Sequence, residues 1–229
     1  MKRMTVFYAI GDIHGEFERL VELHGRIHDY HIAFHAGARR VLVHLGDYVD
    51  RGPDSASVVD YLMRLEGEDC VCLQGNHEVM MVGAHEGYRV DWWRGHGGAQ
   101  TMESYADYPG ARPPKGHIDW LRGLPNWWHC EEERLVFVHA MIDPDSFPAV
   151  RDPALHLWGR QERFFDSGQW INPALDNYRV LHGHTPTEDG KPETSSDGRR
   201  INVDTGACYG GPLSAAIIAP NERVQFLSI

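Results

Sequence analysis

Gly46-Asp47-Tyr48-Val49-Asp50-Arg51-Gly52 follows the apolar run Val41-Leu42-Val43-His44-Leu45 and precedes a helical pattern that begins near Asp54. A strand, a glycine-bounded turn and a helix in that order place the stretch at the carboxyl end of a strand, where open α/β sheets gather their ligands. It carries two carboxylates three residues apart, Asp47 and Asp50, with the Arg51 guanidinium directly after the second. The rest of the chain is weighed by whether other strand ends deliver partners for these groups.

The same arrangement recurs on both sides. Residues 4–10 read as a buried strand, and Gly11-Asp12-Ile13-His14-Gly15 then turns into an amphipathic helix over residues 17–30. Asp12 and His14 can chelate one cation if both side chains converge, although a loop aspartate beside a loop histidine is more often a turn-former next to a solvated ring. A helix over residues 54–65 and a third strand over 69–73 lead to Gln74-Gly75-Asn76-His77-Glu78. Asn76 offers a neutral side-chain carbonyl suited to a site already holding two carboxylates, and His77 has the titration range of a general acid. Each has a plainer alternative, as an αL turn residue and a helix N-cap neighbour.

Residues 88–126 form an aromatic-rich insert with helices expected near 100–105 and 116–122 and a proline-rich turn at 109–114. It is read either as core packing with a small helical subdomain or as a wall of the site. Strands return at 127–130 and at 135–138, the latter running into His139-Ala140. Residues 156–160 offer another guanidinium, Arg160, and a strand over 178–181 ends in His182-Gly183-His184-Thr185-Pro186. Strands over 200–203, 213–219 and 224–227 imply a second sheet built from the C-terminal third. The polar loop at 188–198 has no assignable chemistry.

The 229 residues suit one domain, residues 1–229, with no linker or internal repeat. A formal charge of −11, without a Lys/Arg block to offset it, argues against nucleic-acid binding, which relies on neutralising many phosphates. Met1-Lys2-Arg3-Met4 starts like a signal peptide, but the apolar stretch after it is too short for an h-region, and no run approaches the length of a bilayer span. Cys70, Cys72, Cys130 and Cys208 lack CxxC or framework spacing, which points to reduced, buried thiols and a cytoplasmic setting.

Five strand ends thus present Asp12 with His14, Asp47, Asn76, His139, and His182 or His184. Oxygen and imidazole donors without a thiolate suit Mn, Fe, Zn or Co, and so many donors suit two ions. These blocks resemble the signatures of the calcineurin-like metallophosphoesterase superfamily, specifically its phosphoprotein phosphatase branch. Residues 11–15 resemble the family's GDxHG, residues 46–52 its GDxVDRG and residues 75–78 its GNHE. Val138-His139-Ala140 and Gly183-His184-Thr185 resemble its later histidine blocks. The length and Asp204-Thr205-Gly206-Ala207 look most like the bacterial and phage-type serine/threonine protein phosphatases.

The resemblance implies an α/β fold of two mixed β-sheets sandwiched between helices, a four-layer α/β/β/α arrangement. It implies two divalent metal ions, manganese first, with Fe, Zn or Co as alternatives. Asp12 and His14 would hold one ion, Asn76, His139 and His184 the other, with Asp47 bridging. His77 would be the general acid with Asp50 as its partner. Arg51 and Arg160 would clamp the phosphate, with Asn76 beside it, and His182 is left out of the ligands. Gln74 departs from the basic residue many relatives carry before GNHE. The implied reaction is hydrolysis of a phosphomonoester by hydroxide held between the ions, on a phosphoprotein or phosphopeptide with Ser/Thr or Tyr phosphate, with small phosphoesters also accepted. A symmetrical diadenosine tetraphosphatase or other small-nucleotide hydrolase is the competing reading, and a non-catalytic phosphate-binding scaffold a further one. Neither nucleic acid nor membrane is expected as a partner.

Overall fold

The computed structural model describes residues 3–65, 67 and 69–229; the Met1-Lys2 start of the signal-like run lies outside them. In chain order the strands are β1 (Thr5–Ile10), β2 (Arg39–His44), β3 (Cys70–Cys72), β4 (Trp127–Cys130), β5 (Leu135–Val138), β6 (Arg179–His182), β7 (Glu193–Thr194), β8 (Arg200–Asn202), β9 (Ser214–Ile218) and β10 (Gln225–Ser228). The helices are α1 (Phe17–His35), α2 (Ser55–Leu65), α3 (Asn76–His85), α4 (Val90–Trp93), α5 (Ala99–Ser104), α6 (Lys115–Gly123), α7 (Ala154–Trp158) and α8 (Glu162–Phe165).

Two mixed five-stranded sheets run in the orders β10-β9-β1-β2-β3 and β4-β5-β6-β8-β7. Alternation along β1 shows how they stack. Phe7 and Ala9 face the layer between the sheets, with Val43, Leu45, Phe137, Leu181 and Ile201. Val6, Tyr8 and Ile10 face the opposite way, onto Leu20, Leu23 and Ile27 of α1 and Val58, Val59 and Leu62 of α2. The outer face of the second sheet, with Val136, Val138 and Val180, is covered by Phe164, Trp170 and Leu175. The result is the four-layer α/β/β/α sandwich. Burying each such aliphatic side chain contributes roughly 1.5–3 kcal/mol, so the layer between the sheets holds their edges in fixed register.

Register puts the chemistry at one edge. β1, β2 and β3 are mutually parallel, as are β5, β6 and β8. The carboxyl ends of each set therefore open together, and their loops join: Ile13 and His14 amides donate to the Asp47 carbonyl at 3.1 and 2.9 Å, and the Gly183 amide to the His139 carbonyl at 2.9 Å.

Three expectations are corrected. The C-terminal strands do not all enter the second sheet. That sheet begins at β4, while β9 returns antiparallel to β1, with Phe7 opposite Ile218, and carries β10 beside it. The all-buried β9 is covered on both faces there, Ala216 and Ile218 by the layer between the sheets and Ala215 and Ile217 by the cluster under α1 and α2, while β1 and β10 pair its edges. Helix α1 extends five residues beyond residue 30, because His31 and His35 continue its buried stripe. Finally, all four cysteines are free, but only Cys70 and Cys72 are buried; Cys130 and Cys208 are half-buried. Among the described residues no helix is long and apolar enough to cross a membrane.

Candidate metal centre

Residues far apart in sequence meet at this edge. The His184 amide donates to both carboxylate oxygens of Asp12 at 3.1 Å, across 172 positions. Asp47 lies between two imidazoles, its Oδ2 3.5 Å from His14 Nε2 and its Oδ1 3.4 Å from His139 Nε2. Asn76 Oδ1 is 3.0 Å from both His139 Nε2 and His184 Nδ1, which are 3.1 Å from each other. The backbone bends unusually to achieve this: His14, Asp47, Asp50, Arg51 and His184 all have left-handed φ, between 45° and 74°. Such conformations concentrate where a site holds them in place, and Asp and His tolerate them better than most. Side chains also come within reach because two neighbours have none: a Cβ at Gly75 would collide with Asp47 Oδ1, and one at Gly183 with Asp12 Oδ1.

Proton placement tests whether these groups fit a cation. The Leu45 carbonyl, 2.9 Å from His139 Nδ1, can only accept, so the proton sits on Nδ1 and Nε2 presents a lone pair. The Val49 carbonyl, 2.8 Å away, fixes His14 in the same way. Burial lowers both imidazoles, His14 to about 3, and keeps them neutral. Hence His139 Nε2, Asn76 Oδ1 and Asp47 Oδ1 face one another as acceptors, an arrangement that a divalent ion satisfies and the bare groups do not. Asp47, His139 and His184 form one cluster of potential ligand atoms within 4.8 Å, and His14, Asp47 and His77 another. Burial alone would raise the Asp47 pKa, but the net shift is downward and this carboxylate is ionised.

Beside the cluster, His77 Nδ1 donates to Asp50 Oδ2 at 2.7 Å, and its ring packs edge-on to His14. Burial lowers the His77 pKa while the Asp47 and Asp50 carboxylates raise it, and the net shift is upward. Trp93 Nε1 and Thr101 Oγ1 donate to Asp50 at 2.9 and 2.7 Å and fix its orientation. Half-buried Arg51 reaches in with Nη1 2.6 Å from His14 Nε2, its guanidinium over the Tyr209 ring. Arg160 is exposed at the rim and donates to the His184 carbonyl at 3.3 Å. His182 turns away: Arg200 donates to its Nε2 at 3.0 Å, and Phe164 packs on its ring. Gln74 donates to the Leu121 carbonyl at 2.7 Å, tying the third strand end to α6.

Several contributors carry no role assignable from sequence alone. Asp204, at the end of β8, is buried against Asp12. Burial raises Asp204 to about 6, and burial with the neighbouring Asp204 and Asp47 raises Asp12 well above the usual carboxylate range. Its position at a strand end was the available signal. Glu78 accepts from the amides of Asp47, Tyr48 and Gly75 at 2.8 Å and of Val49 at 3.3 Å. Burial and Asp47 push its pKa up, to about 8, yet four N–H donors leave no acceptor for a carboxyl proton, so the geometry fits the ionised form. Glu78→Gln turns an NH₂ group onto those donors and is expected to cost about 2–4 kcal/mol, read as a lower Tm in thermal unfolding; an unchanged Tm would contradict this role.

A family model described as calcineurin-like phosphoesterase matches residues 5–215. The asymmetrical bis(5'-nucleosyl)-tetraphosphatase PrpE of Geobacillus thermodenitrificans is 30% identical over 238 residues, covering 90% of this chain and 87% of the relative. Serine/threonine-protein phosphatase 1 of Salmonella typhimurium is 28% identical over 218 residues, covering 92% and 91%. The crystal structure of a metallophosphoesterase from Sphaerobacter thermophilus superposes with a TM-score of 0.57 at 21% identity, over 100% of this chain and 88% of that one.

Proposed function

Because the chain belongs to the calcineurin-like phosphoesterase family, a family dependent on dinuclear metal centres and acting on phosphoesters, we propose that it is a phosphomonoester hydrolase that removes phosphate from Ser/Thr, or Tyr, side chains of proteins. The observation that carries this reading is the His77–Asp50 pair, 2.7 Å apart, next to the convergent acceptors around Asp47. A serine or threonine alkoxide is a poor leaving group, and a positioned acid is what its departure requires. Two divalent cations, with Asp12, His14 and Asp47 on one and Asp47, Asn76, His139 and His184 on the other, would supply Lewis acidity and a hydroxide at neutral pH. Manganese is the proposed ion for activity in vitro. Arg51 holds its Nη1 2.6 Å from His14 Nε2; with that nitrogen given over to a metal, the guanidinium would be free, with Arg160, to pair with phosphoryl oxygens. His77 donates its proton to the leaving oxygen, and Asp50 stabilises the ring's orientation. Residues 1–229 act as one catalytic domain, the 88–126 segment contributing Trp93 and Thr101 behind the acid.

A second reading, hydrolysis of a dinucleoside tetraphosphate, is favoured by the PrpE relative and by a cleft of about 580 Å³ lined by Tyr88, Arg89, Trp92 and Trp158. The rings of Trp92 and Trp158 lie 6.3 Å apart, and Trp93 joins the cleft to Asp50, so a nucleobase has aromatic faces to stack on. Measuring kcat/KM on a phosphoserine peptide and on diadenosine tetraphosphate tests the choice. A higher value on the peptide is expected; a higher value on the dinucleotide, lost in Trp92→Ala, would replace the first reading with the second.

A further inference from the structure

Behind the strand that carries Asp47, and unused by the site described above, three buried side chains converge. Leu42 and His44 of β2 stand opposite Cys70 and Cys72 of β3, so His44 and both cysteines project from one face of the sheet toward α1 and α2. Each sulfur lies 3.8 Å from His44 Nδ1, and the three ligand atoms all lie within 4.8 Å of one another. A tetrahedral zinc ion, with Zn–S of about 2.3 Å and Zn–N of about 2.0 Å, separates its ligand atoms by roughly 3.5–3.8 Å. The cluster therefore has nearly the dimensions of three corners of such a site.

We infer that His44, Cys70 and Cys72 form a further metal site, separate from the Asp47 pocket, that takes a thiophilic divalent cation such as zinc. Two further observations support it. The far nitrogen of His44 is 3.0 Å from His24 Nε2, and His24 Nδ1 is 3.0 Å from the Tyr61 hydroxyl. With His24 neutral, one proton arrangement of this chain has His44 Nε2–H donate to His24 and His24 Nδ1–H donate to Tyr61. His44 Nδ1 then turns a lone pair to the sulfurs, the outer support that metal-bound histidines usually have. Cys70 also lines a cavity of about 400 Å³ bordered by His28, His31 and Asp69 as well as Arg3, Arg39 and Arg40, a source of water as the fourth ligand. Two thiolates neutralise a divalent ion, which makes burial of the occupied site inexpensive.

A disulfide fits worse. Residues i and i+2 of a strand are roughly 6.6 Å apart, and their parallel Cβ atoms exceed the roughly 3.5–4.5 Å a disulfide spans. The donor set also differs in kind from the Asp47 pocket, whose facing groups are carboxylate, amide and imidazole; Cys208 lies beside Arg51 there, so loss of a sulfur signal in a Cys70/Cys72 variant is what assigns it to this cluster. Bound there, the ion ties β2 to β3 and, through His24 and Tyr61, to α1 and α2, just before the chain enters the Asp47 turn.

Cobalt substitution of the full chain tests the site. Thiolate-to-cobalt charge-transfer absorption should appear and saturate within a total of three bound Co²⁺ per chain, two of them held in the Asp47 pocket, and the Cys70→Ser/Cys72→Ser variant should lose that band together with one equivalent of bound metal after dialysis. Should the variant fail to fold, wild-type protein suffices: zinc should slow alkylation of two of its four cysteines at least tenfold relative to chelator-treated protein. Absence of the band in wild-type protein, or alkylation rates that do not respond to zinc, would overturn the site.

Discussion

Asp47→Asn is expected to lower turnover of p-nitrophenyl phosphate by at least on the order of 10³-fold and to lower the metal bound at the His139–His184 cluster. The substitution is conservative in every respect except charge. Asparagine tolerates the left-handed φ of 53° at this position, its side-chain oxygen can still accept from the His77 amide, and the backbone amide keeps its bond to Glu78. The one carboxylate placed between His14 and His139 disappears. Metal analysis after dialysis, with unfolding measured in parallel, checks the result. A variant that keeps both its metal and its rate would show that Asp47 does not bridge.

His77→Asn, in contrast, should keep its metal and lose about 10²–10⁴-fold in kcat on a phosphoserine peptide. The loss should be much smaller on p-nitrophenyl phosphate, whose leaving group departs without a proton. The dependence on leaving group separates an acid from a mere prop. The pH profile separates them again. Burial lowers His77, but Asp47 and Asp50 raise it, with a net upward shift, so the acid stays protonated to higher pH than an ordinary imidazole. In the wild type, kcat should fall as pH rises through that raised value, and in His77→Asn this alkaline limb should vanish. Equal losses on both substrates, with the limb intact, would remove His77 from the acid role.

Most of the site was legible in the sequence because the fold works locally at each strand end. The run Val41-Leu42-Val43-His44-Leu45 stops at a glycine, where the chain must turn; Gly11, Gly75 and Gly183 repeat that grammar before Asp12, Asn76 and His184, while His139 follows its apolar run directly. Buried parallel strands leave continuous apolar runs, so their ends are easy to see. The place of β9 was not legible, since a strand buried on both faces reads the same in either sheet, and only pairing with β1 decides. Trp93 and Thr101 lie in a segment with loose periodicity, and nothing near them in sequence points to Asp50, which they reach across 43 and 51 positions. Glu78 was visible as the end of a motif, but its work of holding four amides depends on how the Asp47 turn folds over it. His44 and the two cysteines read in the sequence only as strand residues; the parallel register sets Cys72 beside His44.

Anomalous diffraction from crystals grown with Mn²⁺ tests the binuclear centre most directly. Two peaks roughly 3.5–4 Å apart are expected in the Asp47 pocket, with the Asp47 carboxylate between them. One peak or none there at saturating Mn²⁺, or two peaks that Asp47 does not join, would contradict it.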